Sequence, residues 1–270
     1  MVSGSWNRKT KLMQTNEEVR PEFDQYAPSY AELLDDPLRN RFAQDPLHFH
    51  RRKWLLIEGL LYRAGVTLSA QRWLDVGCGR GELLEIAGGH FAQAIGCDPS
   101  AGMLSSHPSF KTRTQPSLVE LPFEDNSVDF VTAVCVYHHV HGTARKLLTR
   151  EIKRVLTPGG LCCIIEHNPW NPVTRAIVRR CPVDAEAEVL TARTASRLLQ
   201  EAGFQALSAD YFLYLPEKMF HRLGFLEGML RSLPFGGQYA LLARAPAYRP
   251  GLCIGNLLHG TPERRLGTSD

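Results

Sequence analysis

The sequence of 270 residues predicts an α/β fold built on a doubly wound, mostly parallel sheet. Two observations lead to this fold class. Apolar runs alternate with helical segments of roughly 10–15 residues, which is the pattern of repeated βαβ units. The first apolar run, RWLDVG at 72–77, also leads directly into a glycine-rich loop and a helical segment. Hydrophobic residues make up 44% of the chain, enough to fill the core of such a domain.

The individual elements follow from apolar spacing and from helix start and stop signals. Apolar residues at 47–66 recur every three or four positions, and a helix at 142–160 is predicted to stop at Pro158-Gly159-Gly160. The predicted strands cover residues 72–77, 93–100, 127–137, 161–167, 205–215 and 237–245. The predicted helices cover residues 21–36, 47–66, 81–88, 142–160, 191–204 and 217–233.

Composition and charge exclude several classes of protein. The net charge of +3 is small and no basic block occurs, which disfavours nucleic acid as a partner. Seven cysteines, without a CxxC pair, indicate neither a disulfide framework nor a zinc site. No apolar run approaches the roughly 20 residues that span a membrane, and the N-terminus lacks the apolar segment of a signal peptide. We therefore expect a soluble, cytoplasmic protein with flexible ends at residues 1–20 and 245–270.

The loop GCGRG at 77–81 is the strongest functional signal in the chain. A strand–loop–helix unit of this kind presents backbone N–H groups and the positive end of a helix dipole to a ligand. Asp75, two residues before the first glycine, would repel a pyrophosphate but suits a ligand with an ammonium group. Asp98 ends the next predicted strand, where a carboxylate accepts hydrogen bonds from a ribose diol. A ribose joined to a cationic amino acid describes S-adenosylmethionine.

Four segments in chain order resemble the class I S-adenosylmethionine-dependent methyltransferases, of the small-molecule, Methyltransferase-11-like type. They are LDVGCGRGELL, GCDPSAGML, LPFEDNSVDFVTAVCVYHHV and EIKRVLTPGGLCCII. The resemblance implies a seven-stranded, Rossmann-like sheet whose last strand is antiparallel. It also implies an N-terminal helical cover at 21–66 and a cofactor-binding domain at 67–244, in which we expect insertions at 167–190 and 216–236.

The resemblance also implies roles for residues of this chain. Asp75 and the loop glycines would line the methionine and ribose, and Asp98 would accept from the ribose hydroxyls. Many relatives have Asp where Ser117 stands, so a serine hydroxyl would contact the adenine amino group here. The full set predicted to bind the cofactor is Asp75, Gly77, Cys78, Gly79, Asp98, Pro99, Met103, Ser117, Leu118, Cys135 and Tyr30.

Three histidines are the candidate catalytic residues. His138 and His139 follow the strand at 127–137 and His167 ends the strand at 161–167, so all three are predicted at the carboxyl edge of the sheet. An imidazole, with an ordinary pKa of about 6.5, suits removal of a proton from an acceptor hydroxyl or an acidified carbon. His139 is the first candidate for this base and His167 the second. The structural alternative is that one of the histidines caps the following helix. The HHVH spacing is too tight for ligands from one strand end to converge, so no metal is predicted.

Two further segments leave alternatives open. HNPWNP at 167–172 predicts a rigid loop, although it superficially resembles the N-P-P-aromatic motif of amino-group methyltransferases that act on nucleic acids. Arg175 and Arg179, one helical turn apart, form either a solvated face or a site for an acidic substrate. The amphipathic stretch 217–233 is predicted to face the core, and a lid over a lipophilic acceptor or a membrane-surface contact is the alternative.

The leading functional prediction is methyl transfer from S-adenosylmethionine to a small-molecule acceptor, on O, N or C, in small-molecule or secondary metabolism. The acceptor is expected to be lipophilic or acidic. A methyltransferase acting on RNA or another macromolecule is the first alternative, and the weak net charge disfavours it. A nicotinamide-binding or non-catalytic Rossmann-like protein is the second, and Asp75 with the glycine spacing argues against nicotinamide binding.

Overall fold

The computed structural model describes residues 22–105 and 110–247, and a seven-stranded sheet organises this part of the chain. The strands lie in the order β3-β2-β1-β4-β5-β7-β6. They are β1 Arg72–Val76, β2 Gln93–Asp98, β3 Thr112–Thr114, β4 Val128–Val134, β5 Leu156–His167, β6 Gln205–Phe212 and β7 Gln238–Arg244. The pairs among β1 to β5 are parallel, whereas β7 runs antiparallel to both β5 and β6. The predicted fold class and the antiparallel last strand are therefore confirmed.

Helices connect the strands and cover the sheet. They are α1 Tyr30–Leu33, α2 Pro37–Phe42, α3 His48–Arg63, α4 Glu82–Ala87, α5 Ala101–Ser105, α6 Thr143–Val155, α7 Pro172–Arg180, α8 Ala192–Glu201, α9 Glu217–Leu223 and α10 Phe225–Leu230. Within the described residues, none of these helices combines the length and the apolar character that crossing a membrane requires.

Two hydrophobic clusters explain why the central strands are apolar at most of their positions. Successive residues of a strand point to opposite faces, so Leu74 packs in one cluster and Trp73 in the other. Leu148 of α6 belongs to the Leu74 cluster, and Ile57 of α3 belongs to the Trp73 cluster. A parallel sheet covered on both faces needs apolar residues at nearly every position of its inner strands.

Two boundaries differ from the prediction. The three-residue edge strand β3 was not predicted, because TRT has no apolar run and pairs only with β2. The helix predicted to reach residue 160 ends at Val155, and β5 already begins at Leu156, which pairs with Val128 through an irregularity in the register. Gly159 within this extended segment has a φ of +79°, so the Pro-Gly-Gly sequence shapes the start of a strand rather than the end of a helix.

The N-terminal segment is less regular than predicted. The single helix expected at 21–36 consists of two 3-10 turns and the four-residue α1, and Asp36 caps the unpredicted helix α2 by accepting from the N–H groups of Leu38 and Arg39. The Asp24 carboxylate accepts from the Ser100 hydroxyl at 2.5 Å and fixes this segment over α5. The predicted flexible ends lie outside the described residues, except for 245–247.

The stretch at 217–233 does not form the core-facing helix that its apolar spacing predicted. It is divided at Gly224 into α9 and α10, and the buried residue of the two helices is Glu227 rather than any leucine. Arg52, itself 5% exposed on α3, pairs with Glu227, which explains why a carboxylate points inwards. The core-facing prediction for this stretch is therefore wrong.

Candidate active site

A cavity of about 1230 Å³ opens at the carboxyl edge of the parallel strands. The glycine loop after β1 and the ends of β2, β4 and β5 form one side, and residues of α1, α2 and α3 form the other. Open α/β sheets bind ligands at this edge, outside the carboxyl ends of their strands. The cavity is thus the candidate active site of the described chain.

The glycine loop adopts a backbone that side chains would obstruct. Gly77 and Gly79 have φ angles of +66° and +55°, in the left-handed region where residues other than glycine are strained. A Cβ atom added to Gly79 would lie 3.4 Å from the Met103 methyl group. The N–H groups of Gly77 and Cys78 both donate to the carbonyl of Cys97, which closes the loop onto β2. The loop therefore brings bare backbone to the cavity wall.

Asp98 is a buried carboxylate that organises the base of the cavity. It accepts from the N–H of Gly79 at 2.9 Å and from the N–H of Ser100 at 2.8 Å. Burial raises the pKa of Asp98, and these two backbone hydrogen bonds lower it in part. The carboxylate thus links the glycine loop to the end of β2.

Asp75 and Lys53 place opposite charges in the same cavity without touching each other. The Asp75 carboxylate accepts from the Thr132 hydroxyl at 2.6 Å, and burial raises its pKa to about 7. Lys53 of α3 is 7% exposed, and its Nζ lies 3.7 Å from the Cys135 sulfur. Its charge acts against the burial effect on Asp75. A zwitterionic group fits between such a pair, because each buried charge requires a partner of opposite sign.

The three predicted histidines do converge, together with two carboxylates. His138 donates from Nδ1 to Glu166 at 2.5 Å, and its Nε2 lies 3.5 Å from Asp184. His139 Nε2 lies 3.5 Å from the same Asp184 oxygen. The ring centroids of His138 and His167 are 5.1 Å apart. Asp184 stands in the turn after α7, so the predicted insertion region supplies one member of this cluster.

His138 and His167 have opposite electrostatic surroundings. Burial opposes charge on His138, but the carboxylates of Glu166 and Asp184 outweigh burial and raise its pKa well above the usual value. His167 has the opposite environment, since burial and the charge of His138 lower its pKa to about 4. Asp184 remains a carboxylate. Burial raises its pKa, but the hydrogen bonds from His138 and His139 outweigh burial and hold the pKa well below its usual value. At neutral pH, therefore, His138 is charged and His167 is neutral.

Most of the predicted site residues line this one cavity. Those that do are Tyr30, Asp75, Gly77, Cys78, Gly79, Asp98, Pro99, Met103, Leu118, Cys135, His138, His139 and His167. Ser117 does not line it, because its hydroxyl instead accepts from the N–H of Val119. Gln115 lines the cavity close to that position, and its buried Oε1 has no hydrogen-bond partner among the described residues. The structure thus offers Gln115 in place of Ser117.

Four lining or supporting residues were missed from the sequence: Lys53, Gln115, Glu166 and Asp184. Glu166 lies inside the apolar run CCIIEH, directly before His167, and belongs to no recognisable motif of its own. A charged residue inside a buried strand is itself a signal, since such residues are rarely buried unless they are paired. Lys53 is likewise a charged residue among the buried, mostly apolar residues of α3.

Ligand atoms of His138, His167 and Asp184 lie within 4.8 Å of one another, close enough for a metal ion. The residues of HHVH follow a single strand, whereas these three come from separate elements. The carboxylate of Asp184 and that of Glu166 also balance the charge of His138 as ion pairs. The expectation of no metal stays a prediction.

Comparison with known proteins finds a family match over part of the chain. The methyltransferase domain family matches residues 74–164. The demethylmenaquinone methyltransferase of Staphylococcus saprophyticus is 34% identical over 116 residues, which are 39% of this chain and 48% of that protein. The sterol 24-C-methyltransferase of Schizosaccharomyces pombe is 27% identical over 171 residues, 56% of this chain and 44% of that protein. The chain thus spans about half the length of these curated relatives.

Solved structures support the same fold. The crystal structure of an S-adenosylmethionine-dependent methyltransferase from Thermotoga maritima matches with a TM-score of 0.62 and 16% identity, and the match covers 83% of this chain and 97% of that one. At this identity the likeness concerns the fold. The sequence match over the glycine loop, β2, β4 and β5 concerns the family. Residues 74–164 thus match the methyltransferase domain family, and the described chain has the fold of an S-adenosylmethionine-dependent methyltransferase.

Proposed function

We propose that the protein transfers a methyl group from S-adenosylmethionine to a small-molecule acceptor bound beneath α1–α3. The observation that supports this proposal is that two groups of polar residues line one and the same cavity. Asp75 and Asp98 stand on one part of its wall, and the cluster of His138, His139 and Asp184 stands on another. A cofactor and an acceptor bound in the two parts would meet without solvent between them.

The lining residues fit the parts of the cofactor. Asp98 and the bare backbone of Gly79 suit a ribose, and the unpartnered Gln115 Oε1 suits an exocyclic amino group. Asp75 and Lys53 suit the ammonium and carboxylate of the methionine end. When bound, S-adenosylmethionine supplies a methyl group activated on a sulfonium. The protein then contributes binding, orientation and exclusion of water, which together provide much of the rate in a direct displacement.

His139 is the best-placed base for an acceptor that must lose a proton. His138 donates from both ring nitrogens, to Glu166 and towards Asp184, and has no lone pair to offer. His167 accepts from Gln238 at Nδ1, which leaves a proton on its other nitrogen. His139 places Nε2 towards Asp184, so that Nδ1 is free to take a proton while Asp184 stabilises the resulting imidazolium.

The acceptor class is the finer part of this proposal. Aromatic and aliphatic side chains of the cover line the cavity beside the polar cluster, including Phe23, Phe42 and Phe49. The two relatives named above are a demethylmenaquinone and a sterol methyltransferase, which are consistent with a lipophilic small molecule. We therefore propose a lipophilic acceptor with one ionisable or nucleophilic group.

Two measurements test the proposed function. Calorimetric titration should show binding of S-adenosylhomocysteine and none of NAD at matched concentration. Incubation with methyl-labelled S-adenosylmethionine and lipid and aqueous extracts of the host should then transfer label to a small molecule. Label confined to RNA, DNA or protein would contradict the small-molecule acceptor, and absence of S-adenosylhomocysteine binding would contradict the activity as a whole.

Replacement of Asp98 by alanine should weaken binding of S-adenosylhomocysteine by about 1–3 kcal/mol, the scale for hydrogen bonds to a charged group. The ribose would lose its carboxylate acceptor, and the Gly79 N–H would lose its partner. The measurement is a dissociation constant by calorimetry on protein with an unchanged circular dichroism spectrum. Glu201→Ala, an exposed acid on α8 outside the cavity, is the matched control and should bind normally. An unchanged constant for the Asp98 variant would remove Asp98 from the ribose.

Binding of S-adenosylhomocysteine should strengthen as pH rises towards and through 7. Burial raises the pKa of ligand-free Asp75 to about 7, and a cationic ammonium group binds its carboxylate form. Below that value, each pH unit should therefore weaken binding by up to about tenfold. Titrations at pH 6 and 8 check this, and Asp75→Asn should bind weakly with the pH dependence lost. A pH slope that survives in Asp75→Asn would show that Asp75 is not its source.

A further inference from the structure

We propose that the face formed by α7, α9, α10 and their loops binds the surface of an anionic lipid bilayer. This rim surface is defined by Trp170, Val173, Met219, Leu223, Phe225, Met229, Leu233 and Phe235. Eight of the thirteen large hydrophobic residues that are exposed in the described chain belong to it. Concentrated exposed apolar residues of this kind mark interaction sites, because isolated ones are scattered over ordinary surfaces.

Helix α10 of the rim surface has the reverse of the usual amphipathic arrangement, because its acidic residue faces the protein and two of its apolar residues face the solvent. Phe225 is 70% exposed and Met229 is 75% exposed, whereas Glu227 between them is 6% exposed. Glu227 accepts from the N–H groups of Tyr214 and Leu215 and pairs with Arg52. The protein body thus holds this segment through a polar anchor and leaves Phe225 and Met229 largely in water. Burial against the core does not account for these two side chains, and a partner that excludes water from them would be stabilised by the apolar area it covers.

Hydrogen bonds join the separate loops into one surface. Asn168 donates from its amide to the carbonyls of Pro234 and Gly236, and Asn171 donates to the carbonyl of Phe235. These bonds join the turn that carries Trp170, 69% exposed, to the segment that carries Phe235, 65% exposed. Aromatic side chains with one polar edge are the residues that membrane interfaces favour. The rigid HNPWNP loop therefore presents Trp170 at a fixed position.

The charge of the rim surface selects the partner. Lys218, Arg222 and Arg231 are exposed on or next to α9 and α10. The two acids of the segment are turned to the protein: Glu227 pairs with Arg52, and Glu217 accepts from the N–H groups of Gln44 and Asp45. Exposed cations beside apolar side chains match a bilayer whose headgroups are anionic and whose acyl region is apolar.

The position of the rim surface connects it to the cavity. Val173, Thr174 and Ile177 of α7 line the cavity, and Val173 is also part of the rim surface. Through Glu217, helix α9 is also attached to the 44–45 loop of the cover, which lines the opposite side of the cavity. A bilayer bound to the rim surface would therefore lie beside the cavity wall, where a lipophilic acceptor leaves the membrane. Membrane binding itself does not depend on the proposed methyl transfer.

Vesicle sedimentation of the full chain, without cofactor, tests the proposal. The protein should partition onto phosphatidylcholine vesicles that contain about 30 mol% phosphatidylglycerol, and roughly tenfold less onto pure phosphatidylcholine. The double variant Phe225→Ser/Met229→Ser should lower partition onto the anionic vesicles by about tenfold or more. Leu55→Ser/Tyr62→Ser, which removes exposed apolar side chains from α3 instead, is the matched control and should bind normally.

Charge reversal separates the electrostatic contribution. Lys218→Glu/Arg222→Glu should abolish the preference for phosphatidylglycerol, whereas Arg193→Glu/Arg197→Glu, an equally spaced exposed pair on α8, should retain it. The proposal fails if wild-type protein does not sediment with anionic vesicles, or if both double variants bind as well as their controls. It also fails if light scattering shows a dimer that the Phe225/Met229 variant dissociates while vesicles bind neither form. Normal S-adenosylhomocysteine binding alongside any of these failures would leave the proposed methyl transfer intact.

Discussion

Replacement of His139 by glutamine should leave S-adenosylmethionine binding unchanged and lower turnover by about 10²–10⁴-fold, the usual contribution of a general base. Glutamine keeps the volume and one hydrogen-bonding end of the imidazole but cannot take up a proton. His139 faces Asp184 at 3.5 Å and packs against the Phe23 ring at 4.9 Å, so the substitution removes proton transfer more than packing. The measurement is single-turnover methyl transfer, together with cofactor binding by calorimetry.

The pH profile distinguishes a base from a packing residue. An imidazole base is protonated and inactive at low pH, which gives the pH–rate profile an acid limb. That limb should disappear in His139→Gln. His141→Gln provides the matched control, because this neighbouring histidine is half exposed, pairs with Glu188 and lies outside the cavity. Near-normal turnover in His139→Gln with the acid limb intact would clear His139, and the test would pass to His167. Normal activity in the glutamine variants of His138, His139 and His167 would indicate an amine acceptor that needs no base.

Replacement of Glu166 by alanine should lower the free energy of unfolding by about 3–5 kcal/mol, the scale for removing one partner of a buried ion pair. His138 is 1% exposed, and Glu166 is fully buried. Without the carboxylate, the buried imidazolium of His138 and the N–H of Tyr137 both lose their acceptor. Urea denaturation at pH 6 followed by tryptophan fluorescence measures the change.

The sign of the pH dependence follows from the two pKa shifts. Attraction to His138 outweighs burial and lowers the pKa of Glu166. The contribution of Glu166 to the free energy of unfolding is therefore present above the ordinary pKa of about 4.5 and is lost as pH falls through the lowered pKa. His138 has a raised pKa, so its contribution is complete below about 6.5 and is lost as pH rises through the raised pKa. The deficit of the variant should therefore be greatest near pH 5–6 and should shrink towards both extremes.

A matched control uses an exposed histidine–glutamate pair. Glu188→Ala removes the partner of His141 at the surface, where water replaces the carboxylate, and stability should hardly change. A Glu166 variant as stable as Glu188→Ala at pH 6 would contradict the buried ion pair. Since His138 and Asp184 stand beside the proposed base, partial loss of activity in a folded Glu166 variant would be a consequence of displaced geometry.

The sequence by itself determined the fold class, the order of nearly all strands along the chain and the position of the glycine-rich loop. These features depend on local patterns: apolar runs define the buried strands, and GCGRG requires left-handed backbone at successive glycines. The same locality explains the errors. TRT has no apolar pattern because an edge strand is half solvated, and 217–233 has a core-like pattern although none of the apolar side chains of α9 and α10 is buried.

Only the tertiary structure decided which charges share the cavity. Lys53 and Asp75 are 22 positions apart, and the distances between their elements depend on how α3 packs over the sheet. Glu166 and Asp184 likewise reach His138 from different elements, and their carboxylates decide which histidine is free to accept a proton. Hydrophobic periodicity depends on near neighbours in the sequence, whereas protonation depends on neighbours in space. The sequence therefore predicts the three histidines, and the fold assigns them unequal chemistry.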